Sequence, residues 1–429
     1  MPADGLGASV RLDHQLLAVE REHRVHCLLE LTAPPNPTDR QRRPLHLALV
    51  IDRSCSMGGD KLETAKACAA YLARRLAPTD RLAVVTYDDE VRLELPLTDV
   101  GHDQLRLERA LQGIRPGGST NLSGGWLKGV EQLRAVPGGT GPKKVLLLTD
   151  GLANRGVTDP SALVAMARGA CDDGVGTTTI GFGQDFDEEL LTAIADVAAG
   201  NAYFAATPEE APAIFAQEFE GLTALVAQNL SVEVRSGPDV QMIGLLNEYP
   251  IVPVAGGLQA QLGDAYAEER RRVVFELAVP KLETLGVVTV AEVVVRYVSL
   301  GERIEAHELR LPVTVNAVSA AEAAAAGPDA GVVEEIVVLK SARAQREARE
   351  HAERGEFDSA RKLLTEAVED LRRVAPGSSG AEELLTQAEE TARFAESMSD
   401  ALYDETTKKH LRYSEWQRNR GRPRRQSGA

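Results

Sequence analysis

The stretch HLALVIDRSCS, residues 46–56, is an apolar run that ends at Asp52 and is followed by hydroxyls at Ser54 and Ser56. An uninterrupted apolar run of this length fits a strand buried on both faces, so the DxSxS spelling falls where strand gives way to loop. A carboxylate and two hydroxyls at alternate positions are hard oxygen donors, which suit Mg²⁺, Mn²⁺ or Ca²⁺ rather than zinc or copper. Two later segments extend the set. PGGSTNLSGG, residues 116–125, offers Thr120 beside glycines that let backbone come close, and KKVLLLTDG, residues 143–151, places Asp150 at the end of a second apolar run. Together these residues predict a divalent-cation site built from Asp52, Ser54, Ser56, Thr120 and Asp150.

Taken in this order and spacing, the three pieces resemble the von Willebrand factor A domain and its metal-ion-dependent adhesion site. The resemblance covers about residues 45 to 222, and IGFGQDFDEELLTAIADVAAGNAYF, residues 180–204, looks like the last part of that domain. It implies an α/β fold, doubly wound around a mostly parallel, Rossmann-like sheet. It also implies coordination by the hydroxyls of Ser54, Ser56 and Thr120, with Asp52 and Asp150 acting directly or through water. Ser and Asp have another ordinary use, capping helix starts, but capping does not require all three segments at once. Cys55 stands where the family often has glycine. It is read as a bystander, because the position is not a ligand in the family pattern and hard cations gain little from sulfur. A redox role would need a lowered thiol pKa.

A chain of 429 residues has room for two or three domains with cores of their own. Hydrophobic residues at 43% and charged residues at 26% are a globular rather than a disordered composition. The net charge of −16 argues against nucleic acid and anionic membrane as partners. That charge is uneven, since Lys408 to Arg425 holds eight Lys or Arg against the single acid Glu415. No run is long enough to span a bilayer, and the first residues lack the basic, apolar and small-residue order of a signal peptide. Cys27, Cys55, Cys68 and Cys171 show neither metal-pair spacing nor a disulfide framework. A cytoplasmic, bacterial protein is the expectation.

Along the chain the hydrophobic period changes twice. Residues 8 to 33 alternate as strands, and APPNPTDRQRRP, residues 33–44, reads as a loop. From His46, strand candidates at 45–52, 82–89, 143–151 and 176–183 alternate with helix candidates at 61–76, 122–136, 160–173 and 187–199. Such alternation builds a parallel sheet with helices on both faces. Such sheets bind ligands at strand carboxyl ends where the order reverses, which is where Asp52 and Asp150 fall. Beyond a helix ending near Val226 the period returns to two, and about six valine-rich strands follow up to residue 318. They read as a β-sandwich whose edge the strands of residues 8 to 33 would cover, so the α/β domain is inserted into a sandwich assembled from both flanks.

The expected boundaries are N-terminal strands at 1–42, the α/β domain at 43–226, the sandwich at 227–318, and a small-residue linker at 319–331. A helical extension at 332–406 follows, in which Gly355 breaks a hairpin that resembles a single tetratricopeptide-type unit, and a basic tail at 407–429 comes last.

Other chemistry is not supported. GGTGPKK, residues 138–144, precedes a strand, whereas a phosphate-binding loop must follow a strand and open a helix. His23 and His26 are separated by an odd number, which puts them on opposite faces of a strand. No histidine is placed in sequence to activate Ser54 or Ser56 as a nucleophile. Arg270, Arg271 and Arg272 read as a solvated face, and Leu363, Leu364, Val368 and Leu371 as intramolecular helix core.

The chain is therefore read as a non-enzymatic, cation-dependent binding module that captures Asp or Glu of a partner protein. Mg²⁺ is the foremost ion, with Mn²⁺ or Ca²⁺ as alternatives, and no membrane partner is expected. One rival is a non-catalytic subunit of a metal-insertion or chaperone complex driven by an AAA ATPase. A second is a scaffold whose metal only staples loops. Partner identity and oligomeric state are not encoded legibly.

Overall fold

Alternating side chains near the N-terminus form three strands in the computed structural model of the chain: β1 (Gly7–Leu12), β2 (Leu16–Ala18) and β3 (His23–Thr32). The structure describes residues 5–35, 43–137, 141–183, 186–300, 304–378 and 380–399, together with residues 403, 408, 409, 411, 412, 415 and 418. It divides into two units, Asn36–Leu225 and the combination of Met1–Pro35 with Val226–Ala429.

The first unit carries strands β4 (His46–Asp52), β5 (Arg81–Tyr87), β6 (Val91–Asp99), β7 (Lys143–Thr149), β8 (Val175–Phe182) and β9 (Ala202–Ala205). Its helices are α1 (Asp60–Arg75), α2 (Val100–Gly113), α3 (Leu122–Arg134), α4 (Pro160–Asp172), α5 (Glu188–Val197) and α6 (Ala211–Thr223). The sheet order is β6-β5-β4-β7-β8-β9, parallel throughout except for the β5–β6 pair. Every residue of β4, β7 and β8 is buried, as central strands covered by helices on both faces must be. The chain leaves β4 toward β5 on one side and later returns to β7 on the other, so the carboxyl ends of β4 and β7 flank the reversal point. This is the doubly wound α/β fold expected from the alternation.

Three of its elements, β6, β9 and α2, were not among those expected. Pro96 interrupts the β6 pattern, and the sheet tolerates it because β6 lies on the edge. Helix α3 approaches the sheet closely: a Cβ on Gly125 would stand 2.3 Å from the Tyr87 ring, and one on Gly129 2.5 Å from Val50. Between them Trp126 is fully buried and donates Nε1–H to Thr177 Oγ1 at 3.1 Å.

The second unit is a β-sandwich. Its strands from the second half of the chain are β10 (Leu225–Ser236), β11 (Gln241–Leu245), β12 (Ile251–Val254), β13 (Gly257–Tyr266), β14 (Arg270–Val279), β15 (Gly286–Leu300) and β16 (Ile304–Val318). One sheet runs β1-β3-β14-β11 and the other β12-β13-β10-β15-β16-β2. Strand β3 pairs with β14 over ten residues, from His23↔Val279 to Thr32↔Arg270. Side chains from both sheets, among them Val25, Cys27, Phe275, Val232 and Val293, share one core.

The six expected strands become seven. The extra one, β12, reads IVPV, is mostly exposed and contains Pro253, so no alternation announced it. The arginine run is also corrected: Arg271 is 2% exposed, because the two-residue period turns it inward between its neighbours. Its guanidinium pairs with Glu269 and donates to the carbonyls of Leu262 and Asp264.

The segment expected as a linker holds α7 (Ala320–Ala325), started by a capping box between Ser319 and Glu322. Helix α8 (Ala330–Glu353) buries Val332, Ile336 and Leu339 against Leu28 and Val274 on the outer face of the four-stranded sheet. Gly355, at φ +76°, turns the chain into α9 (Phe357–Val374), and α10 (Ala381–Ser397) completes the helical extension. Leu364, Val368 and Leu371 lie in the core of these helices. Of the basic tail only a few residues are described, including Arg418, which meets Glu390 at 2.8 Å. Residues 138–140 of the GGTGPKK segment and 36–42 of the Pro-rich loop lie outside the described residues. Among the described residues no helix is long and apolar enough to cross a membrane.

Candidate metal centre

Strand β4 delivers Asp52 at its last position, fully buried, and the chain then turns sharply through Ser54 and Ser56. Asp52 Oδ1 accepts the Ser54 backbone N–H at 2.8 Å, and Oδ2 accepts the Thr149 hydroxyl at 2.7 Å. Burial pushes the Asp52 carboxyl up to about 6 against the opposing hydrogen bonds from Ser54 and Thr149, and the charge of Asp150 adds to the rise. Asp150 follows β7 in the same way and is also fully buried. Its Oδ1 accepts the Ser56 hydroxyl at 2.7 Å, and its Oδ2 accepts Lys61 Nζ at 2.6 Å. The Ser54 and Ser56 hydroxyls stand 3.2 Å apart.

Thr120 reaches this group from the loop before α3. A Cβ placed on Gly151 would lie 3.5 Å from Thr120 Oγ1 and 3.8 Å from Ser56 Oγ, so the two hydroxyls face one point above Gly151. The five residues from three segments therefore converge on one face at the carboxyl ends of β4 and β7. Among the described residues no three His, Cys, Asp or Glu side chains form a metal-binding group. A cation here would have to be held by two carboxylates and three hydroxyls, an all-oxygen set that fits a hard divalent ion and not a soft one.

The loops are locked by residues that sequence reasoning missed. Arg53, inside the motif, is 6% exposed and donates Nη2 to Asp88 Oδ1 at 2.6 Å. Asp88 also accepts the backbone N–H groups of Glu90 and Gly118, and the Gly117 N–H donates to the Arg53 carbonyl at 2.6 Å. This buried pair ties the DxSxS loop to the Thr120 loop. It explains the double glycine as well, since a Cβ on Gly117 would lie 1.7 Å from Asp88 Oδ2 and one on Gly118 2.4 Å from Asp89 Oδ2. Asn154 completes the clamp by accepting the Thr120 N–H at 2.8 Å, while the N–H groups of Asn154 and Arg155 return to the Thr120 carbonyl. Cys55 is exposed, and its thiol donates to the Gly117 carbonyl. The only sequence signal for these partners was YDDE at the end of a strand, which placed Asp88 and Asp89 on the same sheet edge as Asp52.

Comparison with known proteins agrees with this fold. Residues 46–217 match the von Willebrand factor type A domain family. An uncharacterized protein of Synechocystis is 27% identical over 280 residues, covering 63% of this chain and 65% of that one. An uncharacterized protein of Escherichia coli is 28% identical over 240 residues, covering 54% and 41%. The chain thus spans less than two thirds of the length of these curated relatives. A von Willebrand factor type A structure from Catenulispora acidiphila superposes with a TM-score of 0.74 at 16% identity, covering 95% of this chain and 96% of the other, which establishes likeness of fold. A doubly wound sheet with a DxSxS loop, a threonine loop and a TDG turn at its switch point, matched by the family over the same residues, identifies residues 46–217 of this chain as a von Willebrand factor type A domain.

Proposed function

We propose that the chain is a protein-binding module whose A domain uses a divalent cation, Mg²⁺ foremost, to capture an Asp or Glu side chain of a partner protein. The observation that carries this reading is the convergence of Asp52, Ser54, Ser56, Thr120 and Asp150 at one strand switch point, with Ser56 left exposed. Ser54, Ser56 and Thr120 would hold the ion through hydroxyls, and Asp52 and Asp150 would supply the negative charge. A bound hard cation provides what these side chains lack, a positive centre able to accept a carboxylate oxygen from outside. The protein's own part is to fix the donors: Thr149 orients Asp52, Ser56 orients Asp150, and the Arg53–Asp88 pair holds the two hydroxyl loops in register. Two carboxylates match the formal charge of a divalent ion and three hydroxyls add none, so a partner carboxylate would bind by taking a coordination position that the protein leaves open. Free thiols at all four cysteines fit a cytoplasmic setting.

The test is calorimetric titration of Mg²⁺ and Mn²⁺ into the purified chain. Binding is expected, and at about 100 times its dissociation constant the ion should add roughly 2.7 kcal/mol to stability. Failure to detect binding of Mg²⁺, Mn²⁺ or Ca²⁺ would overturn the assignment.

A further inference from the structure

We propose that Lys61 is a tethered counter-cation of the metal centre: its ammonium compensates Asp150 when no divalent ion is present, and the ion must expel it to bind. This inference rests on the metal-binding reading above.

The two buried carboxylates of the centre are not treated alike. Asp52 accepts hydrogen bonds from two neutral donors, the Ser54 N–H and the Thr149 hydroxyl. Asp150 accepts one from the Ser56 hydroxyl and one from the Lys61 ammonium, which is its ion-pair partner among the described residues. Arg53, the nearby guanidinium, is engaged with Asp88 instead. A fully buried carboxylate without a positive neighbour is strongly disfavoured, so Lys61 stabilises the metal-free loops.

The location of Lys61 has no other evident benefit. It is the second residue of α1, in the first turn, where a positive charge opposes the helix dipole and where its neighbours Asp60 and Glu63 are acidic as expected. From there its side chain crosses the loop ends to reach Asp150 and passes beside Gly183, where an added Cβ would stand 3.2 Å from Nζ. Its side chain is 28% exposed while that of Asp150 is 0% exposed, so the ammonium can move out to water and the carboxylate cannot follow. A protonated lysine has three donors and no acceptor, and therefore cannot share the centre as a ligand. Two cations within a few ångströms of one carboxylate repel, which makes the two occupants alternatives.

The experiment compares wild type, Lys61→Met and Lys61→Arg as full-length chains stripped with EDTA. Mn²⁺ binding is measured by calorimetry, and thermal melting is recorded in EDTA and in saturating Mn²⁺. Lys61→Met should bind Mn²⁺ about tenfold tighter than wild type, the factor expected when one charge contact no longer has to be broken first. It should also melt lower in EDTA, and most of that deficit should vanish in Mn²⁺. Lys61→Arg should stay close to wild type. Equal or weaker Mn²⁺ binding by Lys61→Met overturns the proposal, as does a melting deficit of the same size with and without the ion. If wild type binds while Lys61→Met does not tighten, the metal reading stands and the counter-cation fails. If neither binds, both fall, and Lys61 is an ordinary salt-bridge partner.

Discussion

Thr120 illustrates how a single hydroxyl can be separated from the fold that presents it. Its backbone is held by Asn154 and its oxygen faces the centre, so Thr120→Ala removes one donor while the backbone hydrogen bonds that hold the loop remain. Circular dichroism should be unchanged, while carboxylate-dependent partner recovery in Mg²⁺ should weaken by about 1 to 3 kcal/mol, the scale of a lost charge-assisted contact. Equal recovery from a folded variant would favour the scaffold reading. Gly117→Ala should do the reverse: the added methyl meets Asp88, breaks the Arg53 pair and lowers stability by roughly 3 kcal/mol, the scale for disrupting a buried ion pair. A denaturant midpoint equal to wild type would refute that account. The five candidate donors could be picked out because each sits beside its own local signal, an apolar run or a glycine pair. Arg53, Asp88 and Lys61 were not, since their meaning comes from partners 35 and 89 positions away in the chain. Arg271 was misread for the same kind of reason: a charge run looks solvated until the pleat decides which member turns inward.

At the level of elements, the β4–β7 reversal is what brings Asp52 beside Asp150, and strand periodicity revealed both strands but not their adjacency. Edge elements were the least visible, β6 and β12 each being broken by a proline that only an unpaired strand side tolerates. The β1–β3 ladder carries an acid-sensitive contact. Burial would raise the Asp13 carboxyl, but the His26 side chain and the N–H groups of His26 and His14 outweigh it and hold the group below its ordinary range. A carboxyl lowered in the folded state contributes stability that is present above its unfolded value, about 3.9, and is lost as pH falls through the lower folded value. Asp13→Asn should therefore flatten the acid limb of the stability–pH curve. Identical limbs for the two proteins would exclude this role. Helix α8 supplies a packing test: Leu339→Ala opens a void against Leu28 and Val274 and should lower stability by about 2 to 5 kcal/mol in a denaturant titration.

For the molecule as a whole, the sandwich depends on strands from both ends of a split sequence. Deleting residues 1 to 40 would strip β3 from β14 and uncover Phe275, Leu277 and Val273, so aggregation is expected by light scattering. A soluble, cooperatively unfolding fragment starting at Arg43 would contradict it. The same split has a consequence for how the chain is made. Glu30 and its partner Arg272 are 242 residues apart, so on a ribosome β3 emerges long before the strand that pairs with it exists. The A domain, contiguous from Asn36 to Leu225, is finished in the interval and can fold while the first strands wait. The nascent chain thus passes through a stage with a completed α/β domain and an unpaired apolar hairpin, a window in which the hairpin is open to chaperones.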